Sequence, residues 1–97
     1  MTHWTDDNPW IWVLVQDPEG NEQFLGQYDE EKGISFIPLF QDKEAAQEAL
    51  PGLARDESLK YQAQAIRYRY LASHAAENGF QLFLLDRSGR ILETIAP

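Results

Sequence analysis

The chain has 97 residues, the size of one domain, with 43% hydrophobic residues and 12% aromatics that give it too much apolar area for a disordered chain. A net charge of −8 argues against nucleic-acid binding, which rests on Lys and Arg displacing counterions. The absence of Cys excludes disulfides, zinc thiolates, iron–sulfur clusters and cysteine catalysis.

Residues 1–9 are polar, end at Pro9 and read as a frayed N-terminus, leaving 10–97 as a single α+β domain. Trp10 to Val15 is apolar on both faces, which predicts a strand buried on two sides. Asp17-Pro18-Glu19-Gly20-Asn21 suits a type I turn, because Pro presets φ and Asp can accept a backbone hydrogen bond. Glu22 to Gln27 then returns as the second strand of a hairpin. Tyr28 to Gly33 reads as an acidic loop. Ile34 to Phe40 is a strand with Ile34, Phe36 and Pro38 on one face and Ile37 and Leu39 on the other. Asp42 is an N-cap for a short helix over Lys43 to Leu50, which Pro51-Gly52 ends; Ala46, Ala49, Leu50 and Leu53 can face the core.

Residues 56–78 admit two readings. Without Gly or Pro and rich in Ala, they can form one helix from an Asp56 cap to Gly79. Alternatively Lys60 to Arg67 is a strand, with a weak period of two, and Arg69 to Asn78 a helix. Gly79 suits the residue after a helix in both, with Phe80 making a contact behind it. Phe80 to Leu85 is the clearest strand, and Asp86-Arg87-Ser88-Gly89 turns it into a last strand, Ile91 to Ile95.

Two segments carry a resemblance. Ile34-Ser35-Phe36-Ile37-Pro38-Leu39-Phe40 followed by Gln41-Asp42-Lys43-Glu44-Ala45-Ala46 is a strand ending in Pro, a hydrophobe and Phe, then an acid-capped helix. Ala63-Gln64-Ala65-Ile66-Arg67-Tyr68-Arg69-Tyr70-Leu71 is followed by Asn78-Gly79-Phe80-Gln81-Leu82-Phe83-Leu84. Together they cover about half the chain and resemble the N-terminal domain of SseB-like bacterial proteins. The chain departs from that pattern in ending with a hairpin, Asp86 to Ile95. The resemblance implies an α+β fold, a mixed sheet of about six strands with two helices on one face, in the order β-β-β-α-β-α-β-β. It also favours the strand-plus-helix reading of residues 60–78. Little function transfers with it.

Charge is polarised along the chain. Residues 1–54 hold eleven acids and two bases, and residues 55–97 five acids and six bases. This reads either as a solvating surface or as an acidic face for a basic partner. No apolar run is long enough for a membrane span and no basic, signal-like segment stands at the start, so a cytoplasmic protein is expected.

The chemistry-bearing residues are few. A copper or nickel motif at His3 would need the amine of a retained Met1, and Met1 before the small Thr2 is expected to be removed, which destroys that spacing. His74 lies one turn from Tyr70 and nearly one turn from Glu77. A His–Glu pair could serve as a base or as two metal ligands, but a third ligand at helical spacing is missing and His74 reads as a surface residue. No hydroxyl lies in a Gly-x-Ser-x-Gly elbow and no Gly-x-Gly occurs. No catalytic residue, metal or cofactor is expected.

Aromatics are the remaining signal. Trp10 and Trp12 read as core, Trp4 as the more exposed Trp, and Arg67 and Arg69 beside Tyr68 and Tyr70 as a small basic–aromatic patch. The candidate binding residues are therefore Trp10, Trp12, Tyr61, Arg67, Tyr70 and His74. The leading expectation is a non-enzymatic interaction or regulatory module. It would associate with a protein partner or itself, as a homodimer, through an uncovered sheet face or edge strand. The alternative is a small enzyme or ligand-binding domain. Its pocket would lie between sheet and helices, lined by Tyr61, Tyr70 and Trp12, with His74 or Arg67 as the polar group.

Overall fold

The computed structural model describes residues 3–95. Seven strands and two α-helices are described: β1 (Trp10–Gln16), β2 (Gln23–Phe24), β3 (Gln27–Asp29), β4 (Ile34–Leu39), α1 (Lys43–Ala49), β5 (Tyr61–Arg67), α2 (Tyr68–Asn78), β6 (Gln81–Leu85) and β7 (Ile91–Ile95). The α+β class and the chain order of strands and helices are as expected. Residues 60–78 follow the strand-plus-helix reading.

The strands form two sheets, ordered β2-β1-β5 and β3-β4-β6-β7. All pairings are antiparallel except β4 with β6. One bridge joins the sheets. The N–H of Trp12 donates to the carbonyl of Phe40 and the N–H of Phe40 to that of Trp12, both at 2.8 Å.

The helices do not share a face, which corrects the one-face expectation. Ile11, Val13 and Val15 of β1 pack with Ile37 and Leu39 of β4, Leu82 and Leu84 of β6, and Leu71 and Ala75 of α2. The alternate residues Leu14, Phe40, Phe83 and Leu85 pack with Ala45, Ala46 and Ala49 of α1. Successive strand residues point to opposite faces, so α1 and α2 lie on opposite sides of the strands. The physical reason is in β1 itself. Ile11, Val13, Leu14 and Val15 are each no more than 2% exposed, which one helical layer cannot achieve.

Local signals act as read. Asp42 caps α1, its Oδ1 accepting the N–H of Ala45 at 2.8 Å. Gly79 takes the left-handed conformation at φ +75° behind α2. Gly20 closes the turn after β1, donating to the carbonyl of Asp17 at 3.0 Å. A Cβ there would stand 2.6 Å from Asp17 Oδ2, so a larger residue would have to displace the Asp17 carboxylate that accepts the N–H of Asn21.

Three further expectations are corrected. The strand over 22–27 is split: β2 pairs with β1, while β3 pairs with β4 in the other sheet. Between them the buried Leu25 donates its N–H to the carbonyl of Leu14 and marks the crossover. Tyr28 and Asp29 thus belong to a strand and not to a loop.

The third correction is at the N-terminus. Met1 and Thr2 lie outside the described residues, but residues 3–9 are not a loose polar tail. Trp4–Asp7 form a 3-10 turn with Thr5 buried and Trp4 packed on the α2-side core. Asn8, at φ +51°, accepts the N–H of Arg69 on its Oδ1 at 2.8 Å. Arg67, where α2 begins, makes no side-chain cap. Asn8 thus satisfies an orphan N–H of α2 from a different part of the chain.

Asn8→Ala is expected to lower the unfolding free energy by about 1–2 kcal/mol. Asn8→Asp, which keeps the acceptor and tolerates the left-handed backbone, should stay within about 0.5 kcal/mol of the parent. Urea unfolding followed by far-UV circular dichroism checks both.

Candidate functional site

Tyr70, His74 and Asn78 recur every four residues along one stripe of α2. That stripe faces β2, and between them lies an open cavity of about 380 Å³. Phe24, Tyr70, His74 and Phe80 form its walls over the buried side chain of Val15. Glu22, Gln23 and Asn78 line the rest of it. The His74 ring meets the Phe24 ring edge to face at 4.8 Å between centroids, and Tyr70 meets it likewise at 6.4 Å. His74 therefore packs on Phe24 and forms no ion pair with Glu77. The Asn78 side chain donates to the His74 carbonyl at 2.8 Å, holding the last turn of α2 closed.

The expected pocket of Tyr61, Tyr70 and Trp12 is not assembled. Tyr61 and Trp12 lie on the α1 side of the strands, Tyr70 and His74 on the α2 side. The two sets are divided by the sheet because the helices divide. Tyr61 lines a second, smaller hollow of about 250 Å³ with Lys43 and Gln47 of α1. Its hydroxyl donates to Gln16 Oε1 at 3.3 Å and accepts the N–H of Asp56 at 2.9 Å, so it fastens the loop before β5. Trp12 is half-buried against the α1-side core.

The Trp expectations are reversed at both ends of the N-terminal segment. Trp10 is 58% exposed, while Trp4 is partly buried. Trp10 lies opposite Arg67 in the β1–β5 register, and the Arg67 guanidinium sits 4.4 Å from the centre of its ring. The same guanidinium donates to the carbonyl of Asn8 at 3.1 Å. The proposed grouping of Arg67 and Arg69 with Tyr68 and Tyr70 is dispersed. Arg69 reaches back to the carbonyl of Asp6, Tyr68 is buried and Tyr70 belongs to the α2 stripe.

One constellation escaped the sequence reading. His3 Nε2 lies 2.5 Å from Glu93 Oε2, across 90 residues, and His3 Nδ1 lies 2.7 Å from the Thr5 hydroxyl. The N–H of Thr5 also donates to Nδ1, which assigns the ring proton to Nε2, facing the carboxylate. Trp4 Nε1 donates to both oxygens of Glu93, at 3.3 and 3.4 Å. A carboxylate, an imidazole and a hydroxyl in line have the order of a nucleophilic triad. However, Thr5 is only 7% exposed and its hydroxyl bonds to Tyr68, so the array clamps the N-terminal turn to β7. No spacing rule links positions 3 and 93, and only the tertiary structure brings them together.

Burial raises the pKa of the Tyr68 hydroxyl above its ordinary value near 10. The nearby carboxylates of Asp6 and Glu93 add to the shift, and the hydrogen bond to Thr5 opposes it. Two turn carboxylates move the other way. Asp86 is lowered by the N–H of Arg90, then by the Ser88 hydroxyl, and Asp56 is lowered by Ser58. Both carboxylates anchor turns by accepting backbone N–H groups two to four residues on. Among the described residues no group of three or more His, Asp or Glu is placed to hold a metal ion, and no helix is long and apolar enough to cross a membrane.

Comparison with protein-family models, with curated proteins and with solved structures gave no match to this chain.

A pKa raised in the folded state means that the native protein keeps the Tyr68 proton longer than the unfolded chain does. The associated stability is full below pH 10 and is lost as pH rises through the folded-state value. Tyr68→Phe should therefore flatten the alkaline fall in stability relative to the parent, while costing about 1 kcal/mol at neutral pH for the lost bond to Thr5. Melting temperatures between neutral and strongly alkaline pH, parent against variant, check this.

Proposed function

We propose that the protein is a non-enzymatic interaction module, acting in the cytoplasm, whose contact element is the free edge of β5 and whose partner is a second copy of the chain. The observation that carries this reading is the state of that edge. β5 pairs with β1 over seven consecutive residues, Trp10 to Gln16 against Arg67 to Tyr61, without a bulge. Among the described residues no strand pairs its other side. From Tyr61 to Ile66 it contains no charge, Pro or Gly, the usual devices that blunt an edge.

The other edges are blunted. β2 and β3 are two and three residues long. β7 faces an irregularity between Leu84 and Leu85, and its Glu93 is gripped by His3 and Trp4.

Backbone parity defines the free groups of β5. Trp12 and Leu14 direct their backbone bonds away from β5, to Phe40 and Leu25. The intervening Ile11, Val13 and Val15 therefore bond to Ile66, Gln64 and Gln62. The groups left outward belong to Tyr61, Ala63, Ala65 and Arg67. An antiparallel pairing of two copies about Gln64 uses all four. It sets Ala63 opposite the second copy's Ala65, and Tyr61 opposite the second copy's Arg67, where ring and guanidinium attract. No like charges meet. The resemblance to SseB-like N-terminal domains belongs to this reading as a proposal about ancestry and adds no activity to it.

Ala65→Pro removes an outward N–H and leaves the β1 bonds intact, so it should abolish a dimer at unchanged far-UV circular dichroism. Gln64→Pro removes an inward N–H and should damage the fold itself. Sedimentation velocity across the micromolar range is the readout. A parent chain that stays monomeric at every concentration, or an Ala65→Pro dimer as tight as the parent's, would refute the proposal.

A further inference from the structure

The cavity between β2 and α2 lies across β1 from the free edge of β5 and plays no part in that pairing. From its lining we infer a binding site for a small organic cation, of the quaternary or methylated ammonium class. Its volume of about 380 Å³ is within the range of small-molecule sites.

Three independent features give it negative character. First, the rings of Phe24, Tyr70 and Phe80 carry electron-rich faces that attract cations, and they stand around one hollow. Second, Glu22 is the one carboxylate in the lining, to which neither Lys nor Arg contributes; His74 is the one side chain there that becomes cationic on protonation. Third, α2 ends at this place. Asn78 is its last residue and lines the hollow, with Gly79 as its cap, so the negative pole of an eleven-residue helix lies beside the cavity.

An anion would meet the Glu22 carboxylate, and donors in the lining such as Gln23, Asn78 and His74 carry no fixed positive charge to offset it as Lys or Arg would. A neutral apolar molecule would gain burial over Val15 but nothing from the charge. A compact cation with methyl groups around its nitrogen gains from both, since its apolar shell is cheaply desolvated and its charge faces the rings. Phe24 is central to the site: it is braced by His74 and Tyr70, which fixes its orientation before any ligand arrives.

The test uses the full chain and two probes of the same shape. One is choline; the other is the uncharged alcohol in which a tert-butyl group replaces the trimethylammonium. Binding is followed by NMR shifts of the Val15 methyls and the Phe24 ring. Choline should give saturable shifts there in the millimolar range, with the uncharged alcohol weaker by about threefold or more. Glu22→Gln, a change at an exposed residue, should bring the two affinities toward each other without altering the melting temperature. Phe24→Leu, which keeps an apolar side chain on β2, should reduce choline binding by a similar factor. Equal affinities for both probes in the parent would overturn the inference. So would shifts that do not saturate or lie elsewhere, or a cation preference untouched by both variants. Because Ala65→Pro leaves this cavity alone, choline binding in that variant separates a failure here from a failure of the edge pairing.

Discussion

The structure depends on the backbone of Trp12 meeting that of Phe40. β1 and β4 come from different sheets, and two reciprocal hydrogen bonds at 2.8 Å are the bridge between them. On either side of the bridge the alternation of the strand takes over. Val13 and Leu39 point to one face, Leu14 and Phe40 to the other, and all four are no more than 2% exposed. A strand array that is apolar on both faces must be covered on both faces, since unburied apolar area of this size is not left to water. The positions of α1 and α2 follow from that demand.

Division of the helices also divides the surface. Aromatic side chains close in sequence are sent to opposite sides, so Trp12 and Tyr61 cannot join Tyr70 and His74. Two accessible features follow from this division. One is backbone, along β5, where paired strands offer an unused row of donors and acceptors. The other is side chain, in the hollow where α2 ends beside β2. The two differ in chemistry and are separated by β1, which makes each addressable by substitution without disturbing the other.

The N-terminal segment shows how much a few polar contacts can organise. Asn8 caps α2, Arg67 covers Trp10, and His3 with Trp4 holds Glu93. They act beside the burial of Thr5 and the packing of Trp4 on the core. Each satisfies a group that would otherwise face water or lack a partner, which is why a polar stretch is seated on the fold.

The local rules were readable in the order of residues. Asp42 before an Ala-rich stretch, Gly79 after a helical stripe, the Asp17 to Gly20 turn and the alternation in β6 each act within a few residues, through caps, left-handed glycine and period-two patterning. Part of the candidate site was readable in the same way, because Tyr70 and His74 are one helical turn apart. The rest was not. Phe24, Glu22 and Phe80 reach the cavity from other elements, His3 finds Glu93 across 90 residues, and the strand over 22–27 divides between two sheets. Periodicity states that a strand has two apolar faces but not which helix covers which. That choice is made by the packing of segments far apart in the chain, and so belongs to the tertiary structure alone.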